Sequence, residues 1–261
     1  MKRSVTVVST GRVDYGEALA VQRRLARAKI RGSLSEDFLL LVEHEPVVTL
    51  GRGADPDHIV VAPERLAALG IARVEIERGG DVTYHGPGQL VGYPILDLAH
   101  FRTDLHWFLR RLEEALLWAL AALGIAGCRV PGYTGVWVGE TGEASPDGSL
   151  PRPEAARLVS RGDLRKIASI GVHVSRWVTW HGFALNVTDA PLERFELIVP
   201  CGLAGVRMTS LRAEGVETGE ARIVEHVMAG FGRAFGVRCE PSPERNLDVI
   251  DRRIESCRHP A

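Results

Sequence analysis

The chain has 261 residues, 45% of them apolar and 25% charged, and its 32 Lys and Arg against 33 Asp and Glu leave a net charge of −1. A chain of this size buries about 70–75% of its unfolded surface, so one domain folds without metal or disulfide staples. Near-neutrality removes the broad basic field that nucleic acid or an anionic membrane would select. The N-terminal stretch MKRSVTVV is too short in apolar residues for a signal peptide. The longest charge-free apolar run, residues 115–128, falls short of the roughly 20 residues that cross a bilayer. The four cysteines, Cys128, Cys201, Cys239 and Cys257, contain no C-x-x-C pair and no disulfide framework. The expectation is a cytoplasmic protein with reduced thiols.

In chain order, residues 14–31 place Leu19, Gln22, Leu25, Ala26 and Ile30 near helical spacing, with Gly32 as a stop. Phe38 to Val42 is a continuous apolar run of strand length, and residues 47–50 read as a second strand ending at Gly51-Arg52-Gly53. A short helix within 57–69, opening at Pro63, precedes a strand over 72–77. Residues 89–96 read as a strand in which Pro94 predicts an edge or a bulge. The clearest helix runs from the capping Asp104 to Leu123, before Gly124. Strands over 134–138, 167–174 and 177–187 and a helix over 221–235 complete the pattern. Strands outnumber helices without strict alternation, which predicts a single α+β domain: a mixed β-sheet with packed helices. Residues 139–165, rich in Gly, Pro, Ser and acidic groups, read as a flexible insertion within a domain spanning 1–240, and 241–261 as a polar C-terminal tail.

Three segments carry the chemistry-bearing residue types. The first is Arg78-Gly79-Gly80-Asp81-Val82-Thr83-Tyr84-His85-Gly86-Pro87-Gly88-Gln89. Its glycines let backbone approach a ligand, and its polar and aromatic groups favour a binding loop over a plain hairpin. The second joins Lys166-Ile167-Ala168-Ser169-Ile170-Gly171 to Trp180-His181-Gly182-Phe183-Ala184. A lysine at a strand end is ordinarily solvated, and His181 reads most simply as a satisfied core imidazole. The third is Pro200-Cys201-Gly202, a turn that would display a thiol. A lysine ammonium brought alongside would lower a thiol pKa from about 8.5 to about 6.5 and make most of it thiolate at neutral pH. Spacing alone does not bring Lys166 and Cys201 together. There is no P-loop, no H-E-x-x-H, no G-x-S-x-G and no complete dinucleotide fingerprint.

Taken in order, RGGDVTYHGPGQLVGYPILDL, KIASIGVHVSRWVTWHGFALNV and PCG resemble the lipoyl(octanoyl) transferases over residues 15–211. The resemblance implies the fold shared by biotin and lipoate protein ligases. It also implies transfer of an octanoyl or lipoyl group from octanoyl-acyl carrier protein to a lysine of lipoyl domains of 2-oxo-acid dehydrogenases and of the glycine-cleavage H protein. Carried over by motif, Cys201 is the acyl-thioester nucleophile and Lys166 tunes its pKa and shuttles the proton. Arg78, Gly79, Gly80, Asp81, Val82, Thr83, Tyr84 and His85, with Ser169, Ile170, Gly171, Gly182, Phe183 and Ala184, line the acyl pocket. Asp81 stands where that family most often has Gln. The resemblance implies no ATP, no metal, no nucleic-acid partner and no membrane partner. For an acidic partner's surface, Arg102, Arg110, Arg111 and Arg176 are candidates. An ATP-dependent ligase, a lipoyl-protein amidotransferase of the same fold, a cysteine hydrolase and a non-catalytic binding protein remain alternatives. The Lys166–Cys201 combination favours transfer over binding, since binding needs neither residue.

Overall fold

The computed structural model describes residues 2–139, 152–200 and 205–256. The principal sheet is built from β1 (Ser4–Val13), β2 (Asp37–His44), β6 (Gln89–Ile95), β7 (Gly127–Val130), β8 (Tyr133–Val138), β9 (Arg165–Ser175), β10 (Val178–Asn186), β11 (Arg207–Met208) and β12 (Arg238–Pro241). Its order is β12-β1-β2-β6-β10-β9-β8-β7, with β11 beside β9. β1 runs parallel to both β2 and β12, whereas β2, β6, β10, β9, β8 and β7 follow one another antiparallel. The sheet is therefore mixed, as expected for an α+β chain.

The apolar run at 38–42 has a structural cause. Successive strand residues point to opposite faces. Leu39 and Leu41 enter a core formed with helices α3 (Leu105–Ala122) and α5 (Glu220–Phe235). Phe38, Leu40 and Val42 enter the opposite core under helix α1 (Tyr15–Ile30). A strand covered on both faces has no solvent side, so alternation disappears. Asp104 caps α3 by accepting a hydrogen bond from the Trp107 N–H at 3.0 Å, and Asp14 caps α1 through the Glu17 N–H. α3 and α5 approach closely because Gly230 has no side chain; a Cβ there would lie 2.2 Å from the Ala115 carbonyl oxygen.

A second, small sheet of β4 (Ala72–Glu75), β3 (Val47–Leu50) and β5 (Val82–His85) packs with helix α2 (Pro63–Ala68) over its own apolar cluster. Two sequence expectations change. β6 lies inside the large sheet, between β2 and β10, so Pro94 does not mark an edge. The ladder to β10 stops at Gly92↔Phe183 instead, and the Pro94 ring faces Gly182 beside His181, whose φ is 57°. Residues 241–261 are also more than a polar tail. Pro241 closes β12 against β1, and helix α6 (Asp248–Ser256) buries Val249, Ile250 and Ile254 beside α1. The average polarity of that stretch hid one apolar helix face. Within 139–165, residues 152–161 form helix α4 (Arg152–Arg161), with Val159 and Leu164 buried; residues 140–151 lie outside the described residues.

The helix α1 side holds a buried ion pair. The Lys29 ammonium lies 2.7 Å from Asp37 Oδ1 and also donates to the Glu36 carbonyl, with both side chains almost fully buried. Removing Lys29 leaves the buried Asp37 carboxylate to the part-exposed Arg3, 3.6 Å away, and to the Asp97 N–H, so Lys29→Met should lower unfolding free energy by about 3 kcal/mol. The double variant with Asp37→Asn should recover most of that loss. Urea denaturation of the two variants checks both statements; equal losses would show that the stranded charge is not the cause.

Candidate active site

Between the two sheets lies a cavity of about 380 Å³. Of the residues singled out from sequence, it is lined by Arg78, Gly79, Gly80, Asp81, Val82, Thr83, His85, Lys166, Ser169, Ile170, Gly171, Gly182, Phe183 and Ala184. Adjacent antiparallel strands bring the second group together: Ala184 pairs with Ser169, Phe183 with Ile170 and Gly182 with Gly171. The Gly79 N–H donates to the Val172 carbonyl at 2.9 Å, which lays the glycine loop across this strand pair. Residues 78–81 are loop, but residues 82–85 form β5.

Strand periodicity accounts for the one described residue that does not reach the cavity. Tyr84 turns to the other face and packs edge-on against Phe195, with ring centroids 6.1 Å apart. Two further side chains are engaged in holding the loop. Arg78 Nη2 donates to the Thr49 carbonyl at 2.8 Å and to its hydroxyl at 2.9 Å. The Asp81 carboxylate accepts from the Asp55 N–H and bonds His58. A Cβ at Gly51 would sit 2.3 Å from the Gly80 carbonyl oxygen, so the facing turn needs glycine to let the loop close.

Lys166 is not the solvated strand-end residue expected of its sequence position. It is 2% exposed, and its Nζ lies 5.3 Å from the centre of the Trp137 ring. β10 ends its pairing with β9 at Ala168, and β11 takes its place, so Met208 pairs with Lys166. Room for the lysine stem comes from Gly135, where a Cβ would lie 2.6 Å from Lys166 Cε. The Gly135 N–H in turn donates to the buried Glu113 carboxylate at 3.2 Å. The indole face attracts the ammonium, which offsets part of the cost of burying it.

Hydrogen-bond logic fixes the protonation of two histidines, His85 on the cavity wall and His44, whose ring lies 6.0 Å from it. The Thr209 carbonyl can only accept, so Asn186 donates to it through Nδ2 and accepts from Gln89 Nε2 through Oδ1. Gln89 Nε2 also donates to the Tyr84 carbonyl, which leaves Gln89 Oε1 to accept from His85 Nδ1 at 3.0 Å. His85 therefore carries its proton on Nδ1 and keeps Nε2 as an acceptor. Burial pushes its pKa down to about 3, with His44 adding to the effect. His44 is likewise held down, to about 4, by burial. Its Nδ1 donates to the Val13 carbonyl and its Nε2 accepts from the Tyr93 hydroxyl at 2.6 Å. Because Thr209 N–H donates to the Lys166 carbonyl, this relay runs from the lysine strand to the glycine-loop histidine.

Sequence reading missed Tyr15, Val91, Tyr93, Leu105, Leu109, Gly132, Thr134 and Val172, which also line the cavity, and put His181 in the core. Tyr93 and Thr134 stood beside glycines in strand-like runs, a usable signal; Leu105 and Leu109 looked like ordinary helix residues. Cys201 lies outside the described residues, as does Cys257. The other two thiols are both raised to about 11 by burial, which makes Cys128 and Cys239 weak nucleophiles. Three of the candidate basic residues are ion-paired, Arg102 with Asp104, Arg110 with Glu113 and Arg111 with Glu114, so they present no uncompensated patch. Among the described residues, no helix is long and apolar enough to cross a membrane.

Comparison with known proteins places this architecture. Residues 14–232 match the lipoyl protein ligase A/B catalytic domain. An octanoyltransferase of Gloeobacter violaceus is 46% identical over 90% of this chain and 92% of its own, and one of Solibacter usitatus is 43% identical over 92% and 96%. Among solved structures, a bipartite lipoate protein ligase of Thermoplasma acidophilum superposes with a TM-score of 0.64 at 16% identity, covering 99% of this chain and 92% of that one. A lipoate-protein ligase A bound with ATP gives 0.63, also at 16% identity, over 99% and 95%. At that identity the structures speak for the fold alone. The domain match and the identity held over nine-tenths of the chain together make this protein a member of the lipoyl protein ligase A/B catalytic-domain family, an acyltransferase of the octanoyltransferase kind.

Proposed function

We propose that the chain moves an octanoyl or lipoyl group from octanoyl-acyl carrier protein to a specific lysine of lipoyl domains and of the glycine-cleavage H protein, through a thioester on Cys201. The observation that carries the reading is a buried lysine, Lys166, set against Trp137 on the wall of a largely apolar cavity. Each buried methylene contributes about 0.8 kcal/mol, so an octanoyl chain supplies several kcal/mol of binding without any polar contact.

In the first half-reaction the Cys201 thiolate attacks the octanoyl thioester carbonyl, and the tetrahedral oxyanion is held by backbone N–H groups. The carbon–sulfur bond to the carrier breaks, and the departing carrier thiolate takes a proton from Lys166. In the second, the acceptor lysine amine attacks the Cys201 thioester. Neutral Lys166 accepts the proton lost from nitrogen, and Cys201 leaves as thiolate. Thioester exchange is nearly isoenergetic and amide formation from a thioester is downhill, so the reading requires neither ATP nor metal. Met208, seven residues after Cys201 in the chain, pairs with Lys166, which supports the assignment of the two residues to one site.

The discriminating experiment supplies octanoyl-carrier protein and an apo lipoyl domain with and without ATP. The expected result is octanoylated lipoyl domain at the same rate in both. Product formed only from free octanoate and ATP would establish an ATP-dependent ligase instead. Octanoyl transfer from a lipoyl-type protein in preference to carrier protein would establish an amidotransferase.

A further inference from the structure

Behind the Lys166 end of the cavity lies a carboxylate that the transfer chemistry leaves unused. Glu113 sits on α3 one turn after Leu109, which lines the cavity, and is only 2% exposed. A buried carboxylate persists only with partners that meet both its charge and its lone pairs. Its Oε2 accepts from Arg110 Nη1 at 2.7 Å and lies 3.3 Å from Arg129 Nε. Its Oε1 accepts from the backbone N–H of Gly135 at 3.2 Å. Arg129 has a second acid within reach, Glu114 at 4.0 Å, and its Nη2 donates to the Arg110 carbonyl. Charge pairing therefore accounts for one oxygen of Glu113, and the other is given to the backbone of β8.

That stretch of backbone is irregular on both sides. The β7–β8 register breaks between Cys128 and Val130, opposite Gly135, and the Gly135 N–H meets a side chain there in place of a strand. On the other side Val136 pairs with Ala168 and Trp137 with Lys166, one step along β8 against two along β9. Ile167 is the extra residue of a bulge, and a bulge re-aims the side chains next to it. Lys166 is one of them. Its stem crosses Gly135, whose φ is 129° and whose missing Cβ would lie 2.6 Å from Lys166 Cε and 3.3 Å from Nζ.

We propose that Glu113 is a positioning residue for Lys166, acting through the Gly135 peptide that it holds against the lysine stem. The inference rests on the acyl-transfer reading, in which Lys166 is the acid and base. Glycine has many conformations open to it, and the hydrogen bond from α3 selects the one that leaves room for the stem. Without that bond the peptide turns and the ammonium loses its place. The charge of Glu113 serves a separate end, the pairing of Arg110 and Arg129.

Two substitutions separate the bond from the charge. Glu113→Asp keeps a carboxylate beside the arginines but is one methylene too short for the Gly135 N–H. Glu113→Gln gives up the charge and keeps an amide oxygen for that N–H. The measurement is single-turnover octanoyl loading from octanoyl-carrier protein across pH, with each variant also made in the Lys166→Met background. Glu113→Asp should lower the maximal loading rate about tenfold to a hundredfold, with the half-saturating carrier-protein concentration unchanged. Its pH midpoint should rise toward about 8.5, the value of a free thiol. Glu113→Gln should stay close to wild type in rate and midpoint. With Lys166 already replaced, Glu113→Asp should cost nothing further, because it acts through the lysine. An unimpaired Glu113→Asp, or an impaired Glu113→Gln, would make Glu113 a charge partner of the arginines and overturn the proposal. An equal loss from Glu113→Asp with and without Lys166 would do the same, since a packing defect adds to any background. Should Glu113→Asp fail to fold, as judged by its melting curve, Glu113→Gln decides: an unmoved midpoint upholds the proposal and a raised one overturns it. These outcomes leave the transfer reading standing as long as wild type loads. If wild type does not load, that reading falls and this one falls with it.

Discussion

Cys201→Ala is expected to abolish both half-reactions, lowering octanoyl transfer by about 10⁴-fold or more, because no second group takes over from a covalent nucleophile. The two described alternatives are poor substitutes: Cys128 and Cys239 are both held near about 11 by burial. The measurement is transfer to an apo lipoyl domain together with intact-protein mass after incubation with octanoyl-carrier protein. The variant should show neither product nor adduct. Wild-type rates in Cys201→Ala would remove the thioester from the mechanism.

Lys166→Met should cost about 10²- to 10⁴-fold in kcat, the range for losing a positioned acid and base. On the proposed mechanism two effects combine. Without the neighbouring ammonium the thiol returns to about 8.5, so only about 3% is thiolate at pH 7. The carrier thiolate and the acceptor amine also lose their proton partner. The sign of the pH effect follows: the variant's acylation rate should climb as pH rises through about 8.5, where the wild-type rate has already levelled. A melting curve on the same variant separates a chemical role from a structural one. A large drop in melting temperature with an unchanged pH profile would make Lys166 a structural residue.

Much of the fold was legible because it rests on local physics. The period of α3, its Asp104 cap and the two-faced burial of Phe38 to Val42 each follow from a short stretch of chain. Features that depend on distant segments were not. Whether Tyr84 or His85 faces the cavity depends on which side of β5 the large sheet lies. The burial of Lys166 depends on Gly135 and Trp137 from the neighbouring strand, some thirty residues earlier. His181 looked like a core imidazole because nothing in WHGFALN reveals that the buried ring, 3.8 Å from Glu77, also lines the cavity. Apolar positions 247, 249, 250 and 254 did announce a helix face, but they were diluted by Arg, Glu and Asp around them.

The most direct test of the central claim is the covalent intermediate itself. Wild-type protein is incubated with octanoyl-carrier protein and no ATP, its intact mass is recorded, and any adduct is mapped by peptide. The account predicts one octanoyl group on Cys201, removed by hydroxylamine and passed to apo lipoyl domain when that is added. An adduct on another residue, or one that does not transfer, or octanoylation only after ATP and free acid are supplied, would contradict it.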